Sequence, residues 1–418
     1  MKSSAQLSAD RSSWLAIILL AAVNLINYMD RTVLYVLLPA IKRDLALSDT
    51  ELGVLTGLAF ALFYAAFGIP IALWADRSIR RNIVAVVLAL WSVMTALTGL
   101  ATTFTQLALA RIGVGVCESG CIPSSHSMIS DIVPVERRAS ALGVFSAGGA
   151  AGAILGLSIG GVLSASWGWR WTLVAFGAPG LVVALILRLT LAEPPRRTKA
   201  EVAPSTADAL RALISRATYI HVVLIFAGIS LVSAALVQWT PSFYTRSFSL
   251  TSDQVGPLFA LAYGVGTTVG TLAGGFMVDA IGPKSGRRIM RFAAICYAMA
   301  LAFGVLAYQT SSLTVSVASL SGFMILASAP NGGLFAILHG AVPEHMRAAA
   351  VAVAMFVASA VGMGLGPVVV GSVSDALSAS FESESLRYAL MLTLAVLAWP
   401  IAQLFFAARS ADEALELR

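Results

Sequence analysis

Val133-Pro134-Val135-Glu136-Arg137-Arg138-Ala139 returns 209 residues later as Val342-Pro343-Glu344-His345-Met346-Arg347-Ala348, with Val, Pro, Arg and Ala in register. The offset is half of the 418-residue chain. Each copy leads into a glycine-rich apolar run. The first carries Gly148, Gly149, Gly152, Gly156, Gly160 and Gly161; the second carries Gly362, Gly364, Gly366 and Gly371. The stretches before and after each copy decide what kind of unit is repeated.

Those stretches are apolar and long. Of all residues, 58% are hydrophobic and 11% are charged, where soluble domains carry about 25% charged residues. A membrane β-barrel would show short alternating segments; here the runs reach about 20 residues, the length of a spanning helix. They fall at about 14–38, 51–74, 82–103, 105–129, 138–163, 169–191, 219–243, 254–279, 289–309, 312–336, 348–374 and 387–407. The expected fold is an all-α membrane protein of twelve transmembrane helices in two pseudo-symmetric six-helix bundles. Residues 1–191 and 219–418 form the bundles. Residues 192–218 form a polar linker whose Thr206–Arg216 part is expected to lie as an amphipathic helix on the membrane surface. Two parallel six-helix halves are a transporter signature, with the substrate site expected near the midplane.

The net charge is +6. The basic residues sit in short loops, so they read as orientation signals rather than as a nucleic-acid surface. With the N-terminus inside, about nineteen basic residues are cytoplasmic and five (Lys42, Arg43, Arg170, Arg246 and Arg387) are not. Both termini are therefore expected in the cytoplasm, and the chain in a cell inner (plasma) membrane. The run after the polar start Met1 to Trp14 is too long for a signal peptide, so that start is expected to be retained. Cys117, Cys121 and Cys296 lie in apolar runs, which offers no disulfide framework and no metal site. No cofactor is implied. His126 and Ser127 are adjacent, but no Ser-x-x-Lys, Gly-x-Ser-x-Gly or His-Glu-x-x-His arrangement points to an enzyme, and no Gly-x-x-x-x-Gly-Lys loop points to an ATP-driven pump.

Ala72-Leu73-Trp74-Ala75-Asp76-Arg77-Ser78-Ile79-Arg80-Arg81 resembles the loop motif of the major facilitator superfamily, with Ala72 and Ile79 where that motif has glycines. Arg111 and Gly115 match its Arg-x-x-x-Gly element, and Trp167-Gly168-Trp169-Arg170-Trp171 is a familiar superfamily loop. Gly156 to Gly161 resembles its antiporter motif, but Leu157 stands where proline would be. Within the superfamily the chain is most similar to the Spinster family. That similarity rests on Asn27-Tyr28-Met29-Asp30-Arg31, Ala75-Asp76-Arg77, Glu118-Ser119, and Gly364-Leu365-Gly366-Pro367 with Gly371 and Ser374-Asp375. It implies a proton-linked transporter of lysophospholipids or sphingosine-1-phosphate-like lipids. By the same resemblance Asp76, Arg77, Arg80, Arg81 and Arg138, with Asp279, Arg287, Arg288 and Arg347, would lock a cytoplasmic gate. Each of these charges also reads, alone, as an orientation signal.

Four ionisable groups fall deep within the runs: Asp30, Arg31, Arg111 and Glu118. Facing lipid, each would cost about 2.5–3.5 kcal/mol on a translocon scale. They must pair or face a polar cavity. Asp30 and Arg111 lie at matching depths, roughly 10–12 Å from the outer ends of spans one and four, and Glu118 follows Arg111 by two turns on the same face. Asn24, Asn27, Tyr28 and Tyr35 complete a polar strip on span one. Apolar burial favours a neutral carboxyl, and a neighbouring arginine favours a charged one. Asp30 is therefore expected to titrate against Arg111, with Glu118 as a second titrating group, and Arg31 or Arg111 to attract an anionic headgroup. The competing reading is a fixed ion-pair network that only joins two helices.

The second half has no comparable deep charge. It offers Gln238, Trp239 and Asn331 as contacts. A charged wall facing an apolar one suits an amphipathic substrate. The expectation is a monomeric, proton-coupled secondary transporter of such a substrate, with the bilayer, the substrate and protons as its partners. A drug or organic-anion transporter of the same fold is the alternative, and a non-transporting receptor or scaffold is a further one.

Overall fold

The computed structural model describes residues 4–195, 213–282, 285–343 and 346–408. Among them every regular element is helical. Arg196, Arg197, Lys199, Arg211 and most of the expected linker helix Thr206–Arg216 lie outside the described residues.

The first half contains α1 (Ser4–Leu45), α2 (Asp49–Thr56), α3 (Leu58–Arg77), α4 (Arg80–Gly99), α5 (Phe104–Glu118), α6 (Cys121–Ile132) and α7 (Arg138–Thr190). The second contains α8 (Ala217–Ser247), α9 (Ser252–Ile281), α10 (Gly286–Gln309), α11 (Leu313–Ser328), α12 (Asn331–Gly340), α13 (Arg347–Ser359), α14 (Gly366–Phe381), α15 (Ser385–Leu394) and α16 (Ala398–Ala407). Nine helical stretches among the described residues are long and apolar enough to cross a membrane. Two of these, of 53 and 59 residues, each run to about 80 Å or more at 1.5 Å per residue, enough for two crossings of a roughly 30 Å core. The first turns at Gly168, where φ is 76° and a glycine is needed. The second turns at Glu382–Glu384. With the broken pair α5 and α6, the arrangement is consistent with twelve crossings.

Several expected spans are interrupted. Span two breaks at Gly57 between α2 and α3, and span four at Ser119-Gly120 between α5 and α6. Span ten breaks at Ala329-Pro330, the counterpart of the span-four break in the second half. In span eleven, Ala360–Leu365 widens into a π-helix rich in glycine.

By contacts the chain forms two compact units. Unit 1 comprises Met1–Leu47, Ala59–Lys199 and Thr251–Pro257. Unit 2 comprises Ser48–Leu58, Ala200–Leu250 and Leu258–Arg418.

Unit 1 is organised around α1 lying along the first part of α7. Gly148, Gly152, Gly156 and Gly160 meet Ala21, Leu25, Met29 and Val33 in turn. Both series step by four, so the two helices run parallel with a constant register. At Gly152 and Gly156 a side chain would strike the carbonyls of Leu25 and Met29. Small residues at such points are what allow membrane helices to approach this closely. The register fixes which face of α1 points away from α7.

Unit 2 has its own close contact, between α2 and α14. Gly53 lies against the Pro367 carbonyl, and Gly371 against that of Asp49. Asp49, 2% exposed, accepts from both terminal nitrogens of Arg246 at 2.7 and 2.5 Å and from Ser374 at 2.7 Å. Asp375 caps the start of α2, accepting from the Asp49 and Thr50 amides at 3.0 and 2.7 Å and from the Thr50 hydroxyl at 2.6 Å.

The sequence repeat reappears as a repeated contact. Arg138 Nε donates to the Ser130 carbonyl at 3.1 Å, and Arg347 Nε to the His339 carbonyl at 3.2 Å. Donors and acceptors are both 209 positions apart. The arginine that closes each repeat therefore binds the preceding helix in the same way.

Candidate functional site

The polar strip of α1 is buried within unit 1: Asn24 and Tyr28 lie against Gly149 of α7, while Asp30 and Arg31 turn toward α4 and α5. Asp30, Arg31, Arg111 and Glu118 are 1%, 8%, 4% and 0% exposed. Arg31 Nε donates to Glu118 Oε2 at 2.6 Å. Asp30 Oδ2 accepts from the Thr95 hydroxyl of α4 at 3.2 Å. The Trp91 indole, one turn earlier, approaches Asp30 without a hydrogen bond. Arg111 acts on Asp30 and Glu118 through space.

This pairing differs from the Asp30–Arg111 contact expected from matching depths. Neighbouring residues on a helix diverge by about 100°, so Asp30 and Arg31 cannot both face α5. Arg31 takes that direction and meets Glu118, while Asp30 turns toward α4.

Aromatic rings enclose the arginines. The Arg31 guanidinium carbon lies 5.6 Å from the Tyr28 ring centre, 4.8 Å from Phe60 and 5.0 Å from Tyr64. Arg111 lies 5.3 Å from the same Phe60 ring. Phe60 and Tyr64 stack at 5.5 Å. A cation over an aromatic face gains about 2 kcal/mol when desolvated, which offsets part of the cost of burying two guanidiniums. Several polar atoms here have no hydrogen-bond partner among the described residues: Asp30 Oδ1, Arg31 Nη2, Arg111 Nε, Glu118 Oε1 and both amide atoms of Asn27. Buried polar groups left without a partner call for one, such as water or a bound polar group.

The remaining expected contacts divide. Asn24 donates to the Phe145 carbonyl at 2.9 Å, and Tyr28 and Tyr35 are half-buried on the same strip. Gln238 and Trp239 are spent inside unit 2, where Gln238 donates to Thr56 and the Trp239 indole donates to the Pro367 carbonyl at 3.0 Å. Asn331 is half-buried at the first turn of α12. Phe60, Tyr64, Trp91 and Thr95 escaped sequence reasoning. Each pair is spaced by four, which puts its members on one helix face, but no charge marked which face points inward.

The charged-loop residues are also dispersed. Arg80 is 1% exposed. It binds Asp131 at 2.5 Å, Glu193 at 2.9 Å, Ser127 at 2.9 Å and the Pro194 carbonyl at 2.9 Å. The Arg81 amide donates to Glu193 and its guanidinium to the Leu191 carbonyl. Arg80 and Arg81 thus tie the start of α4 to the ends of α6 and α7; Asp131, central to this clamp, was another residue the sequence did not single out. Arg77, Asp279, Arg287 and Arg288 are exposed, and the side chain of Asp76 lies outside the described residues.

Comparison with known proteins agrees with this architecture. The profile of the Major Facilitator Superfamily matches residues 20–367. An MFS-type efflux pump of Mycolicibacterium smegmatis (strain ATCC 700084 / mc(2)155) is 32% identical over 392 residues, 93% of this chain and 90% of the relative. A hexuronate transporter of Bacillus subtilis (strain 168) is 25% identical over 374 residues, 86% of this chain and 87% of the relative. The crystal structure of a bacterial homolog to the human lysosomal transporter Spinster, inward-facing and unoccupied, superimposes with a TM-score of 0.89 at 28% identity, covering 96% of this chain and 98% of that one. Helices without strands among the described residues, an internal repeat, a polar strip buried in one compact unit and these likenesses make one case: the chain is a multi-pass membrane transporter, not an enzyme, and belongs to the Major Facilitator Superfamily, with a fold similar to that of the bacterial Spinster homolog.

Proposed function

We propose that the chain is a proton-coupled secondary transporter moving an amphipathic, lipid-like substrate with an anionic headgroup, of the lysophospholipid or sphingosine-phosphate kind, by alternating access. The observation that carries this reading is the buried set Asp30, Arg31, Arg111 and Glu118, with donors and acceptors left unspent. Glu118 and Arg31 are already paired, whereas the hydrogen bond that Asp30 makes among the described residues is to a hydroxyl. Thr95 can donate to a carboxylate or accept from a carboxyl, so Asp30 can change its proton without breaking an ion pair. The unspent Arg31 and Arg111 nitrogens suit the oxygens of a phosphate.

The same nitrogens suit a carboxylate, and the likeness to a hexuronate transporter favours an organic anion as the second reading. The chain is assigned to a cell inner membrane with both termini in the cytoplasm, from the distribution of its basic residues. Asp76, Arg77 and Arg138, with Asp279, Arg287, Arg288 and Arg347, are assigned to the cytoplasmic gate.

The test is flux into proteoliposomes, with and without a pH gradient, across a panel of lysophospholipids, hexuronates and cationic drugs. Asp30→Asn and Glu118→Gln are expected to abolish gradient-driven accumulation and to leave substrate binding measurable. Full proton-driven uptake in both variants would refute the coupling role.

A further inference from the structure

We infer that Phe60 is a positioning residue for substrate recognition: its ring holds Arg31 and Arg111 so that their unspent N–H groups meet a single anion. The inference rests on the reading above, in which those arginines receive an anionic headgroup.

Two guanidiniums lie over one ring, Arg31 at 4.8 Å and Arg111 at 5.3 Å. They repel each other, and Glu118 bonds only one of them, through Arg31 Nε. Glu118 acts on Arg111 only through space, and the Phe60 ring is the neutral group that both guanidiniums lie over. Phe60 is itself 1% exposed and is stacked on Tyr64, so its ring has little freedom to turn. Its backbone is fixed as well. A Cβ on Gly115 would come within 2.7 Å of the Phe60 carbonyl oxygen. The absence of a side chain there lets α5 close on α3 one turn beyond Arg111. This gives the Arg-x-x-x-Gly spacing a physical meaning: the glycine brings in the ring and the arginine uses it. Arg31 Nη2 and Arg111 Nε are buried donors with no hydrogen-bond partner among the described residues, two donors from two helices brought to one ring.

The chemistry selected is an anion with at least two acceptor oxygens, either a phosphodiester headgroup or a carboxylate. A neutral headgroup gains nothing from the arrangement. Phe60→Leu keeps apolar bulk and removes the quadrupole; Phe60→Tyr keeps the quadrupole.

The experiment measures binding and proteoliposome uptake of lysophosphatidylglycerol, galacturonate and, as a neutral lipid of equal chain length, monoacylglycerol. Phe60→Leu is expected to raise the Kd and KM for the anion that wild-type protein carries by about tenfold, with the maximal rate within about twofold. Phe60→Tyr is expected to stay within about twofold of wild type for every probe. Gly115→Ala is expected to reproduce the Phe60→Leu loss by displacing α3. Monoacylglycerol binding is expected to be unchanged throughout. A response to lysophosphatidylglycerol alone identifies the phosphodiester as the source of the anion, and a response to galacturonate alone identifies the carboxylate. Unchanged anion binding in Phe60→Leu, or an equal loss for anion and neutral lipid, overturns the inference and leaves the transport reading standing. Failure of wild-type protein to bind either anion overturns both.

Discussion

Replacing Arg80 with methionine keeps the length of the side chain and removes every hydrogen bond it makes. Asp131, 7% exposed, then loses the cation 2.5 Å away. Asp131 has a further interaction of its own, so losing the charge-assisted bond to Arg80 costs about 1–3 kcal/mol. Glu193 is a quarter exposed and can turn to water, so its loss adds at most about 1 kcal/mol. The Ser127 and Pro194 bonds contribute about 1 kcal/mol each, and the apolar stem is buried with either side chain. The net expectation is a loss of about 3–5 kcal/mol. The assay is reversible unfolding in mixed micelles titrated with dodecyl sulfate and followed by tryptophan fluorescence. Arg80→Met with Asp131→Asn also removes the carboxylate that Arg80 bonded and is expected to recover part of the loss. A single variant costing under about 1 kcal/mol, or a double variant no more stable than the single, would refute the clamp.

Two further outcomes test the packing. Gly152→Ala drives a methyl into the Leu25 carbonyl, whereas Gly275→Ala meets nothing within 4 Å; the first is expected to cost at least about 2 kcal/mol in the same titration and the second under about 0.5 kcal/mol. Asp375→Ala removes the acceptor of two amides and a hydroxyl at the start of α2 and is expected to cost about 1–2 kcal/mol, with Asp375→Asn recovering part of it. Equal stability of Asp375→Ala and wild type would show that α2 does not depend on the cap.

Much of the architecture could be read from the chain because repetition and hydropathy are long-range signals. The Val-Pro loops at Val133 and Val342 marked the halves, and each proved to carry the same arginine clasp. The breaks at Gly57, Ser119-Gly120 and Ala329-Pro330 were not legible, since each lies inside a continuous apolar run. The site was half legible. The cost of burying a charge singled out Asp30, Arg31, Arg111 and Glu118 without any knowledge of their partners. Depth alone then favoured Asp30 with Arg111, because depth carries no azimuth. The direction in which a side chain leaves α1 is set by the glycine register against α7, which is a fact of packing. Gln238 and Trp239 show the converse: polar atoms in an apolar run looked available, and unit 2 uses them to satisfy its own helices.

The four-residue glycine register has a practical consequence for anyone watching this protein work. Rotating α1 against α7 by one position would drive side chains into backbone along the whole seam, so the pair must travel as one piece. A spin label on each of these two helices should report the same separation under every condition of substrate and pH. That fixed distance is an internal ruler, against which movement anywhere else in the molecule can be calibrated.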